Sequence, residues 1–490
     1  MEKSLQVPTR EEWQLGADAA APRHEVPTPA PPPPDPSHAR LERPLQVVTV
    51  EHLAWLLIGA WTLLTRLIAL GARPLTPAEA RQALFAFDLI NRTNEAGAAG
   101  FHPSWSGWLD LISAGIFALC GASDIAARAI FVACGLLLVA LAFALRPYVG
   151  RAGAIGAGAM LALSPTVTWF SRSATTTLAA VTLGLLTVVL FMALKARPSV
   201  GRAAALGVAG GLMVSASPIG LFIAVIFSVA MIILGLFAIL VTIDRWLRIR
   251  VWFTRYSGMA VITFVIGIAV GVVSGMASES SLDGIKQVLA SFLPLRASNS
   301  WTAFDVLILP LTFYEFLILL AAAAGFLTVL TARARSGFAG FTTLWTALSL
   351  MLYLATSVHT PEQILMIIVP AALLGGFAIE YLNRTWSWPL IRRLIGVLGL
   401  ATIYVQLLTN FVNYAPDPSD APWARHASLY WGEGATTPQT AMQCAAILKA
   451  IAPAGRTVFH AGVWPPALRW YLRDARPVIA ADAATLVVET

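Results

Sequence analysis

The sequence predicts an all-α protein that crosses a membrane many times, and three observations carry that reading. Hydrophobic residues make up 57% of the 490 positions and charged residues only 12%, with a mean hydropathy of +0.72. A soluble chain of this size is nearer about one-quarter charged. Apolar runs recur along the chain, most approaching the roughly 20 residues that cross about 30 Å of hydrocarbon. Arginine and lysine gather in the short gaps between alternate runs. Each run must be helical, because an unpaired backbone cannot sit in lipid.

Residues 1–50 hold the tract PTPAPPPPDPSHARLERP, too proline-rich to pack a core, and read as an extended, disordered cytoplasmic tail. A spacer and a ligand for a proline-binding domain both fit it. About 50 polar residues precede the first apolar run, so the start is not read as a signal peptide. The membrane domain is expected over 51–414. Its first run is about Leu53–Leu70, and others fall near 125–145, 152–170, 176–194, 203–218, 219–242, 258–277, 304–331, 340–357, 363–382 and 394–412. Residues 415–490 are soluble in character. TTPQTAMQCAAILKAIA and WPPALRWYLRD read as helices, while RTVFHAG and RPVIAADAATLVVET read as strand material. Alternating helix and strand imply a small extracytoplasmic α/β segment. At roughly 75 residues it is thin for an independent core, so it should lean on the membrane body or be an incomplete domain.

Gly107–Cys120 (GWLDLISAGIFALC) decides the sidedness. It is short and carries Asp110, which argues against a crossing. With a cytoplasmic N-terminus and no crossing here, the inner loops hold Arg146 and Arg151, then Lys195, Arg197 and Arg202, then Arg245, Arg248, Arg250 and Arg255. Arg333 and Arg335, then Arg384, Arg392 and Arg393, follow on the same side. If the segment crossed, every one of these clusters would move outside, against the positive-inside rule. The expected count is therefore about eleven spans, with outer juxtamembrane helices in the first outer loop, 71–124.

The outer face then collects the unusual polar residues. Glu79, in LTPAEARQA, follows Thr76 as N-cap and Pro77 in the first turn, where the helix dipole favours a carboxylate. The same residue is a candidate general base for an acceptor hydroxyl. His102, among tryptophans in HPSWSGW, is an interfacial anchor or a donor to sugar or phosphate. Arg172, in SPTVTWFSRSATTT, snorkels to headgroups or holds a phosphate. Glu279, Asp283, Lys286 and Arg296 share one outer loop; either cation would suit a lipid phosphate. His359 and Glu362 flank the turn SVHTPEQ, Glu362 as a first-turn acid or at a cavity rim.

Several classes fall away. The net charge of +7 and pI near 9.6 come from arginines that set topology, and no nucleic-acid-binding pattern accompanies them. Cys120, Cys134 and Cys444 are too widely spaced for a disulfide framework or a CxxC metal site, and no metal ligand is assigned. A transporter or flippase would carry ionisable residues at mid-membrane and an inverted repeat; the spans hold almost none of the former, and no repeat is visible.

The pieces resemble, in order, the GT-C superfamily of membrane glycosyltransferases, which includes the protein mannosyltransferases and the aminoarabinose transferase of lipid A. A prokaryotic branch, the flippase-activity-associated or protein-glycosylation proteins, is similar too. The likeness rests on a first span ending TRLIALGARPL, an acid in the first outer loop, and HPSWSGWLDLISAGIFALCGASDIAARAIFVACG. It continues in LSPTVTWFSR and TPEQILMIIVPAALLGG, covering about 50–415. It implies a GT-C-like fold in a prokaryotic inner membrane and a sugar donor linked to a polyprenyl phosphate. It also implies inverting transfer to a protein or lipid acceptor on the outer face, with other membrane subunits as further partners. The family's first loop commonly has Asp-Glu where this chain has Ala78-Glu79, and its acid after Ser-Arg is missing beyond Arg172. Asp88 or Asp110 are the candidate compensating acids. A catalytically degenerate member, retained as a structural or assembly subunit, is the rival reading.

Overall fold

The computed structural model describes residues 50–91, 106–241, 243–276, 309–331, 337–356, 360–385, 389–412, 442–446, 458–460, 466–473, 477–478 and 486–488. The segment after the opening helix α1 (Val50–Leu67) contributes helices α2 (Pro77–Asn91) and α3 (Gly107–Cys120). Then follow α4 (Asp124–Ala144), α5 (Arg146–Val149), α6 (Arg151–Leu163), α7 (Pro165–Ser171), α8 (Thr176–Ala196), α9 (Val200–Ala216), α10 (Pro218–Val241) and α11 (Ile243–Met276). The second half holds α12 (Leu309–Phe313), α13 (Phe316–Thr331), α14 (Gly337–Ala355), a 3-10 turn (Pro361–Ile364), α15 (Leu365–Thr385) and α16 (Pro389–Leu407).

Seven helices are long and apolar enough to cross a membrane among the described residues, or eight if the bent pair α6–α7 is one span. The expected eleven would require α1, α9 and α13, of 18, 17 and 16 residues, to cross as well. The run near 152–170 is not one straight helix. It turns by 62° at Ser164, because Pro165 lacks an N–H and Ser164 caps the new helix by accepting from Val167 N at 3.0 Å. The gap expected between the runs near 219–242 and 258–277 is mostly helical, with α11 beginning at Ile243.

The main core is formed by α4, α6, α8 and α15 with the inward faces of α10 and α14. In a membrane the gain comes from close packing more than from excluding water, and small residues allow that approach. Gly153 on α6 and Gly376 on α15 show it. A Cβ on either would come within 2.6–2.7 Å of the other's backbone oxygen.

A second, smaller core joins α2, α3 and the start of α4 to a C-terminal helix, α17 (Pro466–Tyr471). Trp470 is fully buried against Phe87 and Phe117, and its Nε1 donates to Asp124 at 2.8 Å. The Tyr471 hydroxyl donates to the other Asp124 oxygen at 3.0 Å and accepts from Leu75 N at 2.8 Å. Around α17, strands β1 (Val458–His460), β2 (Pro477–Val478) and β3 (Leu486–Val488) form a parallel sheet in the order β2-β1-β3.

Candidate functional site

The chain leaves α1 through a turn at Ala69, whose φ of 52° is rare for a residue with a side chain. Three Arg172 hydrogen bonds hold that turn: to the carbonyls of Thr65 and Ile68 at 2.7 Å and of Ala69 at 3.1 Å. A cation on the last carbonyls of a helix suits both the dipole and the unmet acceptors there. The Arg172 guanidinium also lies over the Phe411 ring, 4.6 Å from its centroid.

α2 begins with a capping box. Glu79 N donates to Thr76 Oγ1 at 3.3 Å, and Thr76 N donates to Glu79 Oε2 at 2.8 Å. The carboxylate does more than cap. Its Oε1 accepts from Arg73 Nη2 at 2.9 Å, Arg128 Nε at 3.0 Å and Ala174 N at 3.0 Å, and its Oε2 accepts from Arg128 Nη2 at 3.1 Å. Arg128 also donates to the carbonyls of Leu70, Arg73 and Pro74, and Arg73 donates to Ser173 Oγ at 2.7 Å. One buried acid thus ties together the segment after α1, the start of α4 and the turn after α7. Burial alone would raise its proton affinity, but Arg128 and Arg73 outweigh that and hold the carboxyl down at about 2.

α7 is gripped at its other end and along its side. Buried Glu315, between α12 and α13, accepts from Ser164 Oγ at 2.6 Å and Thr166 N at 2.9 Å. Gln406 on α16 donates to Ala162 O at 2.9 Å and Thr168 Oγ1 at 2.6 Å, and accepts from Trp61 Nε1 at 2.9 Å. Asn410 donates to Pro165 O at 3.2 Å. Glu315 and Glu79 therefore brace opposite ends of one short helix, about 10 Å apart by helical rise.

This architecture matches solved membrane enzymes. ArnT from Cupriavidus metallidurans in the apo state aligns with a TM-score of 0.60 at 16% identity, over 88% of this chain and 86% of that one. The same protein bound to undecaprenyl phosphate aligns at 0.60 and 16%, over 89% of each chain. The Archaeoglobus fulgidus oligosaccharyltransferase in the apo form aligns at 0.52 and 11%, over 89% of this chain and 65% of that one. The fold is that of the GT-C membrane glycosyltransferases. No family model and no curated protein matches the chain.

On this GT-C scaffold the residues singled out from sequence part company. Glu79 and Arg172 both hold the segment that follows α1: Ala174 N donates to Glu79, and Arg172 donates to the carbonyls at the end of α1. Asp110, buried in the first turn of α3, accepts from Gln82 on α2, and Asp88 pairs with Arg469 of α17 at 3.3 Å. Both acids thus stitch neighbouring helices, and among the described contacts neither meets Glu79. Glu362 is half-buried in the 3-10 turn beside Thr177 at the start of α8. His102, Lys286, Arg296 and His359 lie outside the described residues.

Arg66, Arg73 and Arg128 are fully or almost fully buried, and none was singled out from sequence. Nor was Glu315. Ionisable residues within or beside apolar runs were the available signal for Arg66, Arg128 and Glu315. Arg66 reaches Thr62 O, Thr65 Oγ1 and Leu161 O at 3.3–3.4 Å.

Proposed function

We propose that the protein is a membrane glycosyltransferase that moves a sugar from a polyprenyl-phosphate-linked donor to an acceptor on the outer face of a prokaryotic plasma membrane. The observation that carries this reading is the likeness to ArnT over nearly nine-tenths of both chains, one of whose structures holds undecaprenyl phosphate. The positive-inside pattern supports a cytoplasmic N-terminus and an outer loop 71–124. In that orientation the four buried guanidiniums of Arg66, Arg73, Arg128 and Arg172 stand on the outer side, where an anionic donor headgroup would arrive.

In the transfer the acceptor's nucleophile bonds to the anomeric carbon as the bond to the phosphate oxygen breaks; polyprenyl phosphate departs, taking up the proton the nucleophile loses. Its leaving group is already competent, so binding and orientation supply much of the rate. Glu79 serves here as a positioning residue: it fixes Arg73, Arg128 and the 172–174 turn. A carboxyl held near 2 with five donated hydrogen bonds is a weak proton acceptor at neutral pH. His102, Lys286, Arg296, His359 and Glu362 are assigned to substrate binding, and protein or lipid acceptors both suit an outer-face site.

A second reading rests on the same node. Ala78 stands where the resembling family has Asp, and Glu79 is engaged in structural bonds, as in a member retained to assemble other subunits. Transfer assays on the purified chain with a panel of polyprenyl-phosphate sugars separate the two. The enzyme reading expects turnover that falls in Glu79→Gln while the pH dependence of the residual rate keeps its shape. A drop of about a hundredfold or more together with loss of the acidic limb would restore Glu79 as general base. Wild type that is silent on every donor would leave the assembly reading in place.

A further inference from the structure

We infer that the end of the bundle opposite the Glu79 node carries a binding site for an anionic phospholipid. A groove of about 370 Å³ runs between α1 and α4, lined by Trp55, Gly59, Thr62, Val139 and Phe143, with Arg146 at its mouth. Gly59 opens it, because nothing lies within 4 Å of where a Cβ would stand. The helices therefore do not need that space for their own packing.

The groove follows α1 from Glu51 to Thr62, about 16 Å at the helical rise. That is close to half of the roughly 30 Å hydrocarbon core. The depth suits one acyl chain from one leaflet. Its walls are aliphatic and aromatic, with Trp55 edge-on to Phe143 at 5.2 Å.

The mouth supplies the charge. Arg146 donates to Glu51 at 2.8 Å and lies 5.1 Å over the Phe143 ring, so its guanidinium is held at the groove's edge. Arg151 stands 3.8 Å from the same carboxylate and is largely exposed. Two arginines against one glutamate leave a surplus positive charge at the level of the headgroups. A phosphodiester whose chain fills the groove neutralises it. A zwitterionic headgroup would bring its own cation to the same place and gain less.

Full-length protein reconstituted in phosphatidylcholine vesicles tests the site, with the Trp55 signal taken as wild type minus Trp55→Phe. Brominated phosphatidylglycerol should quench that signal at a mole fraction about fivefold or more below that needed with brominated phosphatidylcholine. The preference should vanish in the Arg146→Gln/Arg151→Gln double variant. Gly59→Leu should weaken quenching by both lipids, since its Cβ would meet no neighbour and the rest of the side chain would take up groove volume. Equal quenching by the two lipids in wild type, or a preference that survives the double variant, would overturn the inference. So would displacement of the brominated lipid more readily by undecaprenyl phosphate than by phosphatidylglycerol, because the groove would then belong to a polyprenyl chain.

Discussion

Two glutamates in this protein each sit between two arginines, one at either end of the helix pair α1 and α4, and they do different work. Glu79, Arg73 and Arg128 have side chains 1%, 3% and 0% exposed. Glu51, Arg146 and Arg151 are 17%, 41% and 81% exposed. Charge pattern alone makes them look alike. Burial separates them, because a buried ion that loses its partner cannot recover hydration, whereas an exposed one can. The exposed triad can meet a ligand at modest stability cost, while the buried triad is a joint that holds three chain segments in register.

The largest expected effect comes from breaking that joint. Arg128→Met removes two bonds to Glu79 and three to the carbonyls of Leu70, Arg73 and Pro74. Loss of one member of a buried pair typically costs about 3–5 kcal/mol, and the three orphaned carbonyls place this variant toward the upper end. Thermal unfolding in detergent reads it. A loss below about 1 kcal/mol would mean that the node is hydrated in solution and resembles the exposed triad after all.

How much of this contrast was legible beforehand depends on what each residue's surroundings are made of. The apolar runs announced most of the helices, since a spanning helix must be apolar for its whole length. Thr76, Pro77 and Glu79 announced the start of α2, because a capping box is local in sequence. Arg128 was invisible as a partner, because it lies 49 residues from Glu79 and meets it only once α4 packs under the loop. The 62° turn at Ser164 was only half legible: Ser-Pro marks a break, but the grip of Glu315, Gln406 and Asn410 on α7 comes from far along the chain. Tail helix α17 could be read as a helix, but not that its Trp470 would be buried against α2 and α3.

Acid titration sharpens the comparison at the next size of effect. The Glu79 carboxyl sits at about 2 in the folded protein against an ordinary value of 4.5. A depressed folded value contributes stability that is fully present above pH 4.5 and is lost as pH falls from there toward 2. The shift corresponds to about 3 kcal/mol at neutral pH. Stability of the wild type should therefore decline more steeply below pH 4.5 than that of Glu79→Gln, which has no proton to take up at that position. Parallel curves for the two proteins would show that the arginines do not hold the carboxylate as the geometry implies.

The smallest effect belongs to the exposed triad, and its smallness is the point. Glu51→Gln removes the acid from two arginines that already reach water, so both can rehydrate in place. The melting temperature should move by less than about 2 °C, in contrast to the drop for Arg128→Met. Removing the acid also uncovers positive charge at the mouth of the groove, so the preference for phosphatidylglycerol should rise while transfer activity stays at the wild-type level. A large drop in melting temperature would instead make Glu51 a structural joint like Glu79, and the two ends of the helix pair would differ in exposure without differing in role.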